Sequence, residues 1–125
     1  MSDPDAIVRQ FVASWSSLDL DRILSFFTDD ALYLNVPMPP AHRGKKAIRE
    51  AIAGFLEGVE AMEFVILHQA ESPQGVVLNE RLDRFRIDGR WLELPVMGAF
   101  ELRDGKIAAW RDYFDLEQFT GQLGR

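Results

Sequence analysis

The sequence has no cysteine, which rules out disulfides, thiolate nucleophiles and thiolate metal ligands. Histidine is almost as scarce. The two present, His42 and His68, are too few and too far apart to suggest a zinc site. No apolar run approaches the ~20 residues that a membrane-spanning helix needs. The opening Met1-Ser2-Asp3-Pro4-Asp5 is too acidic and polar for a secretory leader. Basic residues are outnumbered, 14 Lys and Arg against 20 Asp and Glu, for a net charge of −6. That balance argues against a phosphate-binding surface, and so against nucleic acid as a partner. Lys45, Lys46 and Arg49 do cluster, but helix-pattern residues surround them and Glu50 adjoins them, the texture of a solvated helix face. A cytoplasmic protein with no metal or other cofactor is the expectation.

What is present suits one domain over residues 1–125, with 47% hydrophobic and 27% charged residues, ordinary values for a globular chain. The first half reads as helix. Ile7, Val8, Phe11, Val12, Trp15 and Leu18 make one apolar stripe at helical spacing, with Asp3 placed to cap it and Pro4 suited to its first turn. A short second helix begins at Asp19 or Asp21, buries Ile23, Leu24, Phe26 and Phe27, and stops at Thr28-Asp29-Asp30. Residues 31–36 read as a strand, closed by Pro37-Met38-Pro39-Pro40, where prolines remove amide donors and restrict their neighbours. Gly44 opens a third helix with Ala47, Ile48, Ala51, Ile52, Phe55 and Leu56 inward.

The texture then changes to strand over 61–70, 76–86, 91–103 and 106–113. Asp88-Gly89 and Asp104-Gly105 separate the later runs and are hairpin signals, because such turns need positive φ. A short helix over 115–123 ends the chain. Helices followed by an antiparallel meander predict an α+β fold in which a curved sheet wraps the helices around one pocket.

Three sets of polar residues break the strand pattern. Alternation puts Ala108, Trp110, Asp112 and Phe114 on one face, so Asp112 shares it with two aromatics. A carboxylate there is either structural, capping a turn or pairing at a rim, or functional; alternation alone leaves both open. Val77, Asn79, Arg81, Asp83 and Phe85 share another face, with Leu78, Glu80, Leu82 and Arg84 opposite. Arg81 and Asp83 leave the same side roughly 7 Å apart, close enough for an ion pair that leaves part of the guanidinium for a second carboxylate. The plain reading is a solvated surface pair, as Glu80 and Arg84 suggest for the other face. Tyr33 and Asn35 share a face of the first strand, offering a donor and acceptors side by side, or simply a rim residue and a turn residue.

One explanation covers all three sets. Two carboxylates linked by an arginine can hold different protonation states, one acid and one base. A Tyr and an Asn beside the base can hold a water, and surrounding apolar residues supply a cavity. That is equipment for adding water to a strained, apolar electrophile.

At these residues the sequence resembles the limonene-1,2-epoxide hydrolase family, whose fold is the cone-shaped NTF2-like (cystatin-like, SnoaL-like) one. Tyr33-Leu34-Asn35-Val36-Pro37 is similar to its Tyr-x-Asn segment, Arg81-Leu82-Asp83 to its Arg-x-Asp strand motif, and Trp110-Arg111-Asp112-Tyr113-Phe114-Asp115 to its final-strand motif. The resemblance implies that Asp112 is the base, that Tyr33 and Asn35 hold the water with it, and that protonated Asp83 donates to the departing oxygen. Arg81 would bridge the carboxylates. It also implies a vicinal diol product without a covalent intermediate, no cofactor, an epoxide and water as substrates, and a homodimer.

Leu34, Met38, Phe64, Leu78, Leu94, Val96, Trp110 and Phe114 are the candidate pocket residues, each equally at home in a plain core. His68, on a face with Met62, Phe64 and Ile66, reads as a core or rim histidine, and His42 as solvent-facing in the proline loop. Competing functions on the same fold are a ketosteroid-isomerase-like or polyketide-cyclase-like proton-transfer enzyme, and a non-catalytic binding or dimerisation module. The isomerase chemistry wants a base where Asn35 stands and a tyrosine where the first helix has Trp15. A covalent hydrolase of the α/β type is excluded, since no Gly-x-Ser-x-Gly elbow occurs.

Overall fold

Helix starts are set by side chains that satisfy orphan amides. In the computed structural model, which describes residues 3–124, Asp3 caps helix α1 (Pro4–Ser14) by accepting from Asp5 N at 3.2 Å. A turn of 3₁₀ helix, Trp15–Ser17, continues it, and Leu18 at φ 55° ends it in the left-handed region. Asp19 then caps α2 (Leu20–Leu24), accepting from Arg22 N at 3.2 Å. The chain next forms β1 (Phe27–Asn35), β2 (His42–Arg43), α3 (Lys45–Leu56), β3 (Ala61–Glu71), β4 (Val77–Ile87), β5 (Arg90–Arg103), β6 (Lys106–Tyr113) and α4 (Leu116–Leu123).

The six strands form one sheet in the order β2-β1-β6-β5-β4-β3, antiparallel except for the parallel β1–β6 pair. It curls around the helices as expected of an α+β fold. Asp88 and Gly89 (φ 53° and 74°) and Asp104 and Gly105 (φ 51° and 78°) make the two-residue turns joining β4 to β5 and β5 to β6. Positive φ at both central residues matches the twist of the flanking strands. No helix among the described residues is long and apolar enough to cross a membrane.

Phe26 and Phe27 do not extend the second helix, and Thr28-Asp29-Asp30 is no terminator. Strand β1 already begins at Phe27, pairing with Ile107 of β6. The apolar run fits either period, and the partner strand, invisible locally, decides it. His68 is also displaced from its expected face. Ile66 opposes Arg81 while His68 opposes Glu80, so Leu67 is an extra residue, a β-bulge. The bulge reverses the alternation, leaving His68 exposed and turning Gln69 inward against Asn79. On the outer face Arg84 bonds Glu63 and Glu93 rather than pairing with Glu80.

The core gathers around Phe11, fully buried on α1. Its ring meets Trp15, Phe26, Phe27, Phe100 and Trp110 edge-on, at centroid distances of 5.0 to 6.1 Å. Such contacts add to the burial itself. Phe11→Ala is expected to cost about 3–5 kcal/mol of stability, read from the urea midpoint at constant slope. An unchanged midpoint would mean that α1 is not integral to the core.

Candidate active site

Strand register assembles the polar residues. The parallel β1–β6 ladder sets Tyr33 beside Trp110 and Asn35 beside Asp112. The antiparallel ladders put Asn79, Gly98 and Asp112 in one row across β4, β5 and β6. Arg81 and Asp83 follow Asn79 along β4 on the same inward face, and all three are buried.

Arg81 occupies the centre and is 1% exposed. Its Nε and Nη2 donate to the two oxygens of Asp83, both at 3.0 Å. Nη2 also donates to Asp112 Oδ2 at 2.7 Å, and Nη1 to Asp112 Oδ1 at 3.2 Å and Asn79 Oδ1 at 2.9 Å. A guanidinium has five N–H donors, and all five are thereby engaged. Asp112 Oδ1 further accepts from Trp110 Nε1 at 2.7 Å. Tyr33 stacks on Trp110 with centroids 4.3 Å apart, and Asn35 Nδ2 donates to the Tyr33 hydroxyl at 3.0 Å.

The close fit depends on Gly98. A Cβ there would lie 2.4 Å from Arg81 Nη1 and 2.9 Å from both Asn79 Oδ1 and Asp112 Oδ1. The bare backbone is therefore the floor on which the guanidinium rests.

These groups form the polar end of a cavity of about 240 Å³ to which Tyr33, Asn35, Asp83 and Asp112 contribute, whereas Arg81 lies outside its lining. Of the candidate pocket residues, Met38, Phe64, Leu94, Val96, Trp110 and Phe114 line it. Leu34 and Leu78 do not: both alternate to the other faces of their strands, and Leu78 is 46% exposed. His42 does line the cavity, because β2 pairs it opposite Tyr33, with the two rings 5.8 Å apart. Sequence reasoning placed it in a solvent-facing loop because two strand residues carry no periodicity. It also overlooked Ile52 and Phe55 of α3 and Phe119 of α4, which complete the apolar wall. Gly98 and the Trp110 donor were missed too. The available signals were a glycine inside a long strand, which often marks close approach, and Trp110 lying two residues before Asp112.

Burial dominates the electrostatics. It pushes the Asp83 carboxyl up to about 6, against the lowering influence of Arg81 and with some help from Asp112. Burial alone would loosen the Arg81 proton, but Asp112 and Asp83 more than offset it and hold the guanidinium charged. Burial and then the charge of Asp112 push the Tyr33 phenol well above its usual range, so it remains a hydrogen-bond donor. The arrangement thus offers a carboxyl able to keep a proton, a second carboxyl that accepts three hydrogen bonds in the same cluster, and a neutral donor pair, all facing an apolar space.

The fold and this site together define a class: small α+β proteins that expose buried acid–base groups to an apolar pocket. The limonene-1,2-epoxide hydrolase catalytic domain pattern matches residues 2–125, so the chain belongs to that family. It is 31% identical over 117 residues to the epoxide hydrolase EphG of Mycobacterium tuberculosis, covering 93% of this chain and 76% of that one. The solved structure of an M. tuberculosis LEH-like epoxide hydrolase superposes with a TM-score of 0.81 at 30% identity, over 97% of this chain and 90% of that one. A Catenulispora acidiphila protein with a ketosteroid isomerase-like fold gives a TM-score of 0.82 at 20% identity, covering 94% and 92% of the two chains. That last likeness is one of fold alone. The chain is therefore a member of an epoxide hydrolase family on an NTF2-like scaffold.

The raised Asp83 value has a consequence for stability. The folded chain keeps this proton up to about 6, whereas an unfolded aspartate releases it near 3.8. Within that window the native state binds the extra proton, so its stability falls as pH rises. Asp83→Asn removes this loss. Its melting temperature relative to wild type is expected to climb from about pH 4 to about pH 6 in scanning calorimetry. A flat difference across that range would show that Asp83 titrates as an ordinary carboxyl.

Proposed function

We propose that the protein hydrolyses an apolar epoxide, terpene-derived or cyclic, to a vicinal diol by concerted acid–base catalysis without cofactor or covalent intermediate. The observation that carries this reading is the Asp83–Arg81–Asp112 cluster, with both carboxylates facing one apolar cavity and Tyr33 and Asn35 beside Asp112. Ionised Asp112 takes a proton from a water held with Tyr33 and Asn35. The water oxygen attacks one epoxide carbon, the carbon–oxygen bond opposite breaks, and Asp83 gives its proton to the departing oxygen. Negative charge leaves Asp112 and appears on Asp83, while the sum over the pair stays constant. Arg81 touches both carboxylates, so it need not move as the charge passes.

Burial of Asp83 supports its role as the acid, since a general acid is most effective with a pKa near the working pH. The cavity volume suits a compact alicyclic or small aryl epoxide. A proton-transfer isomerase would need a base where Asn35 donates its amide to Tyr33. The acidic composition and the lack of cysteine fit a cytoplasmic location.

Hydrolysis in ¹⁸O-water, followed over a single turnover with limonene oxide, cyclohexene oxide and styrene oxide, tests the reading. Label is expected in the first-turnover diol, and Asp112→Asn should slow its formation at least ~100-fold. Unlabelled diol would mean attack by a carboxylate and reject the mechanism. The kcat/KM for wild type should fall as pH rises above about 6, where Asp83 loses its proton.

We also infer a homodimer formed through the outer face of the sheet. Met97 lies beside Tyr113 in register, Leu78 beside Ala99, and Leu67, Leu78, Met97 and Tyr113 are each about half exposed there. Such a strip on the outer face of the sheet suits a two-fold, self-complementary contact. Met97→Glu is expected to turn a dimer into a monomer in sedimentation. A wild-type monomer at tens of micromolar would overturn the assignment.

A further inference from the structure

The polar cluster continues past Arg81, away from the cavity. Asn79 Oδ1 accepts from Arg81 Nη1 at 2.9 Å, and Asn79 Nδ2 donates to Gln69 Oε1 at 3.1 Å. Gln69 Nε2 in turn donates to Asp5 Oδ1 at 2.8 Å and to the Asp5 carbonyl at 3.1 Å. A single file of hydrogen bonds thus runs from the two buried carboxylates to the first turn of α1. Asn79, Gln69 and Asp5 are all absent from the cavity lining.

The direction of this file is determined at both ends. An arginine can only donate, and an ionised carboxylate can only accept. Each amide between them could flip, yet only one orientation of the pair satisfies every link. Asp5 is held in its accepting form, since the bonds from Gln69 and Arg9 lower its pKa. Asn79 must therefore present its oxygen to Arg81. That oxygen takes the fifth guanidinium donor, the only one of the five not given to Asp83 or Asp112.

We propose that Asn79, oriented through Gln69 and Asp5, is a positioning residue that sets how Arg81 divides its charge between Asp83 and Asp112. The proton affinity of the pair is then set partly from outside the cavity. The bulge at Leu67 belongs to the same device, since it turns Gln69 inward. Gly98 belongs too, because a side chain there would clash with Arg81, Asn79 and Asp112 at once. The charged and titratable groups facing the pair are few. They are Arg81 on β4, Tyr33 on β1 and His42 on β2, while β5, α3 and α4 turn Val96, Phe55 and Phe119 toward it and β3 turns Phe64.

The catalytic consequence rests on the hydrolase reading; the titration consequence does not. The test is therefore a carboxyl ¹³C NMR titration of the intact protein, run beside the pH profile of diol formation. Asn79→Ala removes the competing acceptor and should lower the apparent pKa of the buried pair by about one unit. Asn79→Asp adds a stronger acceptor and a negative charge, and should raise it by a similar amount. Gln69→Ala and Asp5→Ala should shift it in the same direction as Asn79→Ala, but less, and they decide the matter if Asn79→Asp does not fold. In the kinetics, Asn79→Ala should lower kcat about tenfold with KM within about twofold, because Asn79 does not touch the cavity.

Shifts of opposite sign in the two Asn79 variants support the proposal, as do the smaller shifts at Gln69 and Asp5. Lower melting temperatures with an unmoved carboxyl titration would reduce the chain to a structural role and overturn it. If wild type yields no diol from any epoxide, the hydrolase reading fails and the titration still decides this inference.

Discussion

Everything in this molecule that concerns chemistry hangs on one buried guanidinium. Arg81 holds two carboxylates that could not otherwise share a dry site, since each charge taken out of water costs several kcal/mol and two like charges add their repulsion. Its planar fork meets Asp83 through two parallel bonds and still reaches both oxygens of Asp112. A lysine could not do this, having a point charge and no fixed fork. The requirement propagates outward. Gly98 must be bare, three strands must stand in register, and the row Asn79–Gly98–Asp112 must run straight across the sheet.

The site and the core are joined through Trp110. Its indole is packed by Phe11 at 5.0 Å and stacked between Phe100 and Tyr33, at 5.7 and 4.3 Å. Its Nε1 holds Asp112. The same side chain thus carries core packing energy and fixes the rotamer of a buried carboxylate, so Phe11 of α1 supports the geometry of the site through Trp110. A precise acid–base arrangement needs such support, because an ångström of slack is enough to lose most of its effect.

The scaffold itself is shared with proteins of other kinds, including one with a ketosteroid isomerase-like fold, and a fold of this sort does not decide its chemistry. What this chain places on that scaffold is local: Asn35 on β1, and an arginine on β4 between two aspartates of β4 and β6. An apolar chamber walled in part by Ile52 and Phe55 of α3 and Phe119 of α4 faces these groups.

Much of this was legible in the residues. Capping aspartates, the two Asp-Gly turns and alternation along β4 and β6 are local signals, and the helices, hairpins and shared faces of Arg81 with Asp83 and of Tyr33 with Asn35 follow from them. The sequence by itself determined which side chains leave the same side of a strand and which turns are possible. Tertiary structure decided matters that depend on a neighbour in space. Phe27 became strand because β6 offered it a partner, and His42 entered the cavity because β2 pairs with Tyr33. Leu78 went to the outer face, where its own alternation with Arg81 already put it once the inner face was known. Gln69 turned inward through an extra residue in β3 that no periodicity announces. Local rules act over a few residues and set direction, whereas register and bulges are settled by long-range pairing, and only that pairing brings Asp112 to within 2.7 Å of Arg81.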